Sequence, residues 1–202
     1  MIACLGKWEK SIPPPANDPI LTKIRQLPEV EVATECLEDQ ALAVYGDRQL
    51  MVKIKGVEDN FDQLTHIREI LEGDGTFDLH AADINYGIPG LGVAYQMGLG
   101  YTYKDAMKIY APRHEGQLDM TDPTEGFVED ELYSPGVVFC MKQGKYDKNY
   151  ILASLAFARS LFQREGMLSS LELRLKPGSN FDRVKDEMQT IAGQKFQVLD
   201  RY

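Results

Sequence analysis

The chain has 202 residues, 44% of them hydrophobic and 26% charged, and its formal net charge is −9. This length is enough for one large domain or two small ones with a buried core, while the acidic balance argues against nucleic acid or an anionic membrane surface as a partner. No apolar stretch approaches the roughly 20 residues that a membrane-spanning helix needs, and the opening apolar segment is far shorter than that of a usual signal peptide.

The first predicted helix follows a linker that three consecutive prolines, residues 13–15, keep irregular. Asp18 is placed to cap this helix and Pro19 to occupy its first turn. Pro28 is expected to end it. The helix has one apolar face, formed by Ile20, Leu21, Ile24 and Leu27.

A strand and a hairpin are predicted next. Residues 30–36 alternate between apolar and other side chains, which is typical of a half-exposed strand; the acids expected to face water are Glu29, Glu31 and Glu35. The Gly46-Asp47 pair between apolar runs at 42–45 and 50–55 predicts a β-hairpin. In its second strand one face is formed by Leu50, Val52 and Ile54 and the other by Met51, Lys53 and Lys55.

Residues 62–144 have a different character, because short apolar pieces alternate there with glycine- and proline-rich turns. We expect a short helix over 93–99, a strand over 106–110, and one or two strands within 127–141. Between these pieces, residues 112–126 are predicted to form a long polar loop.

The last third of the chain predicts strand, helix, strand, helix, strand. Residues 150–152 lead into a helix over 154–162, and 171–176 form a strand before a Pro177-Gly178 turn. The second helix has Ser179 or Asn180 as its cap and Gly193 at its end, and its apolar face is formed by Phe181, Val184, Met188 and Ile191. If the strands that flank this helix are parallel neighbours, the unit is a right-handed crossover.

One set of polar residues resembles a metal site. Asp78, His80 and Asp83 lie close in sequence, and the first two would share a face of a strand. Zinc sites, however, show more His or Cys at tighter, paired spacing. A polar strand edge is therefore the favoured interpretation.

Other candidate chemistry is weaker still. Gly87, Gly90 and Gly92 lack the lysine of a phosphate-binding loop, so a glycine turn opening a short helix is favoured. Three widely spaced cysteines form neither a disulfide framework nor a zinc pattern, and buried free thiols are predicted for Cys36 and Cys140. No nucleophile motif is present. The sequence predicts no catalytic residue, no bound metal and no cofactor.

A series of short segments, taken in order, resembles the extracytoplasmic domain of the MacB/LolC/LolE/FtsX group of ABC-transporter permeases, and most closely its LolC/LolE-type members. The segments lie at residues 27–33 (Leu-Pro-Glu-Val-Glu-Val-Ala), 51–57 (Met-Val-Lys-Ile-Lys-Gly-Val), 70–73 (Ile-Leu-Glu-Gly), 90–99 (Gly-Leu-Gly-Val-Ala-Tyr-Gln-Met-Gly-Leu), 108–113 (Lys-Ile-Tyr-Ala-Pro-Arg), 134–139 (Ser-Pro-Gly-Val-Val-Phe), 146–147 (Tyr-Asp), 154–162 (Ser-Leu-Ala-Phe-Ala-Arg-Ser-Leu-Phe) and 171–175 (Leu-Glu-Leu-Arg-Leu). The likeness extends over about residues 19–202, and residues 1–17 match poorly.

The resemblance implies an α+β fold in two parts. Residues 1–61 and 145–202 would form a porter-like α/β subdomain with βαβ units. Residues 62–144 would form an inserted, mostly β, sabre-like subdomain. In this group the domain lies between the first and second membrane helices, so both ends of the chain are expected on the membrane side.

The same resemblance implies the setting and the partners. The domain would face the periplasm at the bacterial inner membrane, with no catalytic site of its own. A cytoplasmic ABC ATPase would supply energy through membrane helices, and a second permease subunit would complete a homo- or heterodimer. A lipoprotein or its periplasmic carrier is the expected extracytoplasmic partner, and nucleic acid is not.

If partner contact is the function, exposed loops are where we expect it. The best candidate is the loop at 112–126, whose contact residues would be Arg113, His114, Glu115, Gln117 and Asp119. Two alternatives remain open at this point: an FtsX-like regulator of a cell-wall hydrolase, and a free-standing ligand-binding protein or enzyme with a polar pocket at Asp78, His80 and Asp83.

Overall fold

The computed structural model describes residues 2–6, 13–113 and 126–201, and the fold within them is α+β. The first seven strands are β1 (Ile2–Gly6), β2 (Val30–Tyr45), β3 (Arg48–Val57), β4 (Leu71–Gly73), β5 (His80–Ala81), β6 (Ile84–Asn85) and β7 (Ile88–Pro89). The remaining strands are β8 (Met107–Pro112), β9 (Phe127–Leu132), β10 (Val137–Phe139), β11 (Tyr150–Ser154), β12 (Ser170–Leu175) and β13 (Gln197–Arg201).

The helices are short and lie between these strands. They are α1 (Pro19–Arg25), α2 (Phe61–Leu64), α3 (Leu91–Met97), α4 (Gly144–Asp147), α5 (Leu155–Leu161) and α6 (Phe181–Ala192), with one 3-10 turn at Ile67–Ile70.

Nine strands form a single mixed sheet, and its main path runs β13-β1-β12-β2-β3-β11-β7. The 16-residue strand β2 is the longest strand of this sheet, at about 50 Å, and its residues 36–45 pair with the whole of β3. On its other edge, β12 pairs with the first half of β2 and β8 with the second half. β9 then pairs with β8. The long strand β2 therefore joins the β12-β1-β13 part of the sheet to the β8-β9 part.

The last third folds as the sequence predicts, in the order β11, α5, β12, α6, β13. Its helices begin at side-chain caps, because the Ser154 hydroxyl accepts the backbone N–H of Phe157 at 3.1 Å and the Asn180 side chain accepts that of Arg183 at 3.0 Å. Gly193 ends α6 with a positive φ of 59°.

The strands on either side of α6 do not meet the condition for a simple crossover. β1 lies between β12 and β13 and is antiparallel to both. The β12–α6–β13 unit is therefore a split βαβ, in which a strand from the start of the chain fills the gap between two parallel strands. The same pairing brings the first and last described residues together, since Ile2 is the register partner of Arg201.

The first helix and the hairpin are also confirmed. Asp18 caps α1 by accepting the backbone N–H of Ile20 at 2.9 Å. The hairpin turn lies at Gly46-Asp47, where Gly46 adopts a φ of +59° that favours glycine.

Two predictions about exposure are wrong. Two of the strand acids do not face water, since only 15% of the Glu35 side chain and 20% of the Glu29 side chain are exposed. Glu29 pairs with Arg183, and the Glu35 carboxylate pairs with Arg159 at 2.6 Å and with Arg25. The arginines on α1 and α5 supply the counter-charge that the half-buried Glu35 carboxylate needs. Cys36 is buried as expected, but Cys140 is only half-buried because it follows the last residue of β10.

The middle segment contributes strands to the common sheet. β8 and β9 extend it beside β2, and β7 pairs with β11. β4 pairs with β10, and β5 with β6, in two small separate ladders. The largest buried cluster likewise combines side chains from three parts of the chain, among them Ile54, Ile109 and Leu161. The division at residues 62 and 144 into two subdomains stays a prediction.

Candidate partner-contact surface

The predicted contact loop connects the two strands of a hairpin. β8 and β9 are antiparallel, with Met107 opposite Leu132 and Pro112 opposite Phe127. Beyond these pairs, the backbone N–H of Arg113 donates to the carbonyl of Gly126 at 2.9 Å. The ladder therefore holds both ends of the connecting segment in fixed positions at one end of the sheet.

Of the five predicted contact residues, the structure describes Arg113. Its guanidinium Nε donates to the backbone carbonyl of Phe127 at 3.1 Å, which ties the side chain to the base of the hairpin. His114, Glu115, Gln117 and Asp119 lie outside the described residues, so their role stays a prediction.

The outer face of this hairpin carries paired charges. Lys108 Nζ lies 2.7 Å from Glu129 Oε1 on the neighbouring strand. This hydrogen bond raises the pKa of Lys108 and lowers the pKa of Glu129, because each charge favours the other. On the same face, the Tyr133 hydroxyl donates to Glu131 at 3.1 Å, and this bond raises the pKa of the phenol.

The polar residues that resembled a metal site do not converge. Asp78, His80 and Asp83 are all exposed, and His80 Nε2 faces Asp59 at 3.3 Å. Within residues 2–6, 13–113 and 126–201, no three His, Cys, Asp or Glu side chains are grouped closely enough to hold a metal ion. The arrangement can form a surface ion pair when the histidine is protonated.

The glycine turn before α3 serves close packing. A Cβ atom on Gly90 would lie 2.5 Å from the carbonyl oxygen of Asp147, and one on Gly92 would lie 2.6 Å from the Lys148 side chain. Gly90 also donates its N–H to the Tyr150 carbonyl at 2.9 Å. The missing side chains therefore let α3 lie directly against α4 and the start of β11.

Sequence reasoning missed a buried ion pair. Lys55 Nζ on β3 lies 2.7 Å from Glu172 Oε1 on β12, across the intervening β2, and both side chains are almost fully buried. The lysine ammonium also lies 5.1 Å from the centre of the Phe61 ring. A lysine on an alternating strand gives no signal of such a partner 117 residues away. The pair fixes two strands of the scaffold relative to one another.

No helix in the described part of the chain is long and apolar enough to cross a membrane.

This architecture is the fold of the extracytoplasmic domains of MacB-type ABC transporter permeases. The periplasmic region of MacB from Actinobacillus actinomycetemcomitans matches with a TM-score of 0.61 and 6% identity, over 98% of this chain and 88% of that one. The extracellular domain of the noncanonic ABC-type transporter YknZ from Gram-positive bacteria matches with a TM-score of 0.63 and 10% identity, over 99% of this chain and 100% of that one.

A third solved structure, a domain of a protein assigned as a permease from Porphyromonas gingivalis, matches with a TM-score of 0.52 and 16% identity, over 98% of this chain and 85% of that one. By sequence, no family model and no curated protein matches the chain. The α+β fold implied by the resemblance is confirmed, and the likeness at these identities concerns the fold.

Proposed function

We propose that this chain is the extracytoplasmic domain of an ABC transporter permease, in which it transmits motion and contacts a partner without catalysing a reaction. The observation that carries the proposal is the fold shared over 98% or more of the chain with periplasmic and extracellular domains of such transporters. The role in lipoprotein release, or in the export of another macromolecule, is the finer part of the proposal.

The position of the chain ends supports this setting. Ile2 and Arg201 are register partners on adjacent antiparallel strands, so the chain enters and leaves the domain at the same place. A domain held between two consecutive membrane helices needs this geometry, because both of its ends must meet the bilayer. The order of membrane helix, domain and further membrane helices fits these paired ends.

The buried charges support a mechanical role. Lys55 with Glu172, and Glu35 with its two arginine partners, link β3, β12, β2, α1 and α5. Removing one member of a buried pair leaves an uncompensated charge, so such contacts resist local rearrangement. A domain that moves as one body transmits displacement from the end that holds Ile2 and Arg201 to the β8–β9 hairpin. In this proposal, ATP hydrolysis by a cytoplasmic subunit shifts the population of states of a permease dimer.

A labelling experiment tests the setting. In the full reading frame, the cysteines at 4 and 140 are replaced by serine, and Tyr95, whose side chain is 84% exposed, is replaced by cysteine. We expect a membrane-impermeant maleimide to label the Tyr95→Cys variant in cells with a permeabilised outer membrane, and the protein to sediment with membranes. The matched control is Met97→Cys in the same helix, which is buried and should stay unlabelled. Labelling of Tyr95→Cys only after lysis of the inner membrane would overturn the proposal.

Affinity capture of the detergent-solubilised protein tests the finer assignment. Recovery of an ABC ATPase is expected in every version of the proposal. Recovery of a lipoprotein carrier supports a LolC/LolE-like role, whereas recovery of a cell-wall hydrolase supports an FtsX-like regulator.

A further inference from the structure

The strand β9 has one free edge, and a cleft lies beside it. Within the described part of the chain, β9 pairs only with β8. At its end, the backbone N–H of Tyr133 donates to the Asn85 carbonyl at 2.9 Å, and Tyr133 forms a parallel bridge with Tyr86. Before this bridge the β5–β6 hairpin diverges from β9. The space between them is a cleft of about 600 Å³, lined on one side by Asp83, Ile84 and Asn85 and on the other by Glu129, Glu131 and Tyr133.

The backbone groups of β9 that face this cleft can be assigned from the ladder. In an antiparallel pair, every second residue directs its N–H and C=O toward the partner strand and the residues between direct them away. The Arg113 N–H bond to Gly126 sets this alternation, so Phe127, Glu129 and Glu131 point their backbone groups away from β8. The Glu131 N–H is occupied by the Asp130 carboxylate at 2.8 Å. The Phe127 carbonyl accepts from Arg113 Nε. Within residues 2–6, 13–113 and 126–201, the outward-facing N–H of Phe127 and the outward-facing backbone groups of Glu129 have no hydrogen-bond partner, so they can pair with a further strand.

The charge of the cleft limits what can occupy it. Asp83, Glu129, Asp130 and Glu131 all line it, and among the described residues Lys108, which forms an ion pair with Glu129, is the basic side chain closest to them. Exposed apolar side chains lie among these acids, since Ile84 is 43% exposed and Tyr133 also reaches the surface. An extended segment that alternates basic and apolar side chains matches both features, because neighbouring side chains of a strand point to opposite faces.

A second copy of this chain does not fit the same edge. If two copies paired through β9, their Glu129 and Glu131 side chains would lie opposite one another, and like charges in cross-strand positions are destabilising. The formal net charge of −9 adds to this repulsion. The acidic side chains of β9 therefore disfavour pairing with a second copy of this chain and favour pairing with a basic strand.

We propose that the free edge of β9 is a docking site for a basic, extended segment of a partner protein, which adds a strand to the nine-stranded sheet beside β9. Main-chain hydrogen bonds to Phe127 and Glu129 supply affinity, and the carboxylates select basic side chains at alternate positions. This inference rests on the proposed function only for the identity of the partner, because the edge and its charge are properties of the chain itself.

The test uses the 202-residue chain and a capped seven-residue peptide that alternates lysine and valine, titrated by isothermal calorimetry. We expect this peptide to bind at least about tenfold more tightly than a glutamate–valine peptide of the same length, in keeping with charge selection. Two variants separate strand pairing from simple charge attraction. Glu129→Gln removes the charge and keeps the backbone N–H, whereas Glu129→Pro removes both and leaves the hydrogen bonds to β8 intact.

Strand addition predicts that Glu129→Pro weakens binding about tenfold more than Glu129→Gln does. Equal weakening by the two variants would overturn the proposal, since it would mean attraction without backbone pairing, and so would the absence of binding to the unmodified chain. Amide hydrogen exchange tests the same idea without a proline. The peptide should slow exchange at Phe127 and Glu129 and leave Val128, which already pairs with β8, unchanged. None of these results depends on membrane topology, so failure here leaves the labelling experiment unaffected.

Discussion

Residues 150–201 contain three strands of five or six residues joined by two capped helices, whereas the four strands within residues 71–89 have only two or three residues each. The long elements of the last third carry local signals, such as helix caps and regular apolar spacing. The short strands of the middle exist because distant segments pair with them, as β11 does with β7 and β10 with β4. Local signals thus define one region, and tertiary pairing defines the other.

The last third of the chain nevertheless shares a core with the middle segment, residues 62–144, and the variant with the largest expected effect tests this. Ile109 on β8 is fully buried in the cluster that also contains Ile54 and Leu161. We expect Ile109→Ala to lower the free energy of unfolding by about 3 kcal/mol, because it removes buried apolar groups and leaves a cavity. Urea unfolding followed by circular dichroism and by methyl NMR signals should show one transition at a lower midpoint.

The control for this variant is Met51→Ala, whose side chain is 57% exposed on the opposite face of the sheet, and which should change stability by less than about 0.5 kcal/mol. Two separate transitions, with the signals of α6 unchanged by Ile109→Ala, would show that the middle segment folds on its own. In that case the predicted subdomain boundary would be a boundary of folding as well.

The second prediction concerns the buried charges within the regular region. Glu172→Ala leaves the Lys55 ammonium buried without its carboxylate partner at 2.7 Å, and we expect a loss of about 3 kcal/mol in the free energy of unfolding. Chemical denaturation measures this. The matched control is the double replacement Lys55→Met with Glu172→Leu, which should recover most of the loss because two apolar side chains need no counter-charge. A double variant as unstable as Glu172→Ala would mean that shape, and not charge, fixes these strands.

The third prediction concerns the junction between the two regions. A Cβ on Gly90 would collide with the Asp147 carbonyl oxygen, so Gly90→Ala must push α3 away from α4. We expect a loss of about 2 kcal/mol. Gly100→Ala is the control, because its Cβ would have no described neighbour closer than 3.5 Å, and it should be nearly neutral. Thermal unfolding compares the two, and equal stability would mean that the junction adapts without cost.

Elements with local signals are predictable from the sequence, and long-range strand pairing is not. The boundaries of α6 followed from Asn180, Gly193 and the apolar spacing between them, all of which act within one or two turns of the chain. The strand order did not follow, since the insertion of β1 between β12 and β13 depends on pairs of residues that are 166 to 199 positions apart. The single 16-residue strand β2 was expected as two pieces, because residues 37–41 include two acids and a glutamine that interrupt the apolar alternation.

The surface was less predictable than the scaffold. The sequence indicated the polar segment after β8, but the free edge of β9 depends on where the β5–β6 hairpin diverges, and no local pattern encodes that position. In the sequence, the acids of β9 resemble an ordinary solvated face. Only the β8–β9 register shows that Glu129 and Glu131 direct their backbone groups away from β8. The ion pairs inside the scaffold were not predictable for the same reason. Lys55 pairs with Glu172, and Glu35 pairs with two arginines, and all of these partners come from other elements.

The smallest expected effect concerns the contact between the first helix and the end of the chain. The Asp18 carboxylate caps α1 and also pairs with Lys195, which follows α6. Burial alone would raise the pKa of this carboxyl, but the hydrogen bonds from Lys195 and the backbone outweigh it and hold the pKa below the ordinary value of 3.8. We expect Asp18→Ala to cost about 1 kcal/mol at neutral pH, as for other lost helix caps.

The pH dependence separates the two contributions of this residue. Because the native pKa is lowered, the ionised carboxylate stabilises the fold above its ordinary pKa, and this contribution is lost as the pH falls through the native value. Asp18→Asn retains a side chain that can cap the helix but cannot ionise. Its melting temperature should therefore be lower than that of the unmodified chain at pH 7, and the difference should shrink as the pH falls below about 4. Lys195→Met should reproduce the deficit at pH 7 with the cap intact. A difference between Asp18→Asn and the unmodified chain that stays constant across this pH range would mean that the charge of the carboxylate, and with it the ion pair to Lys195, adds no measurable stability.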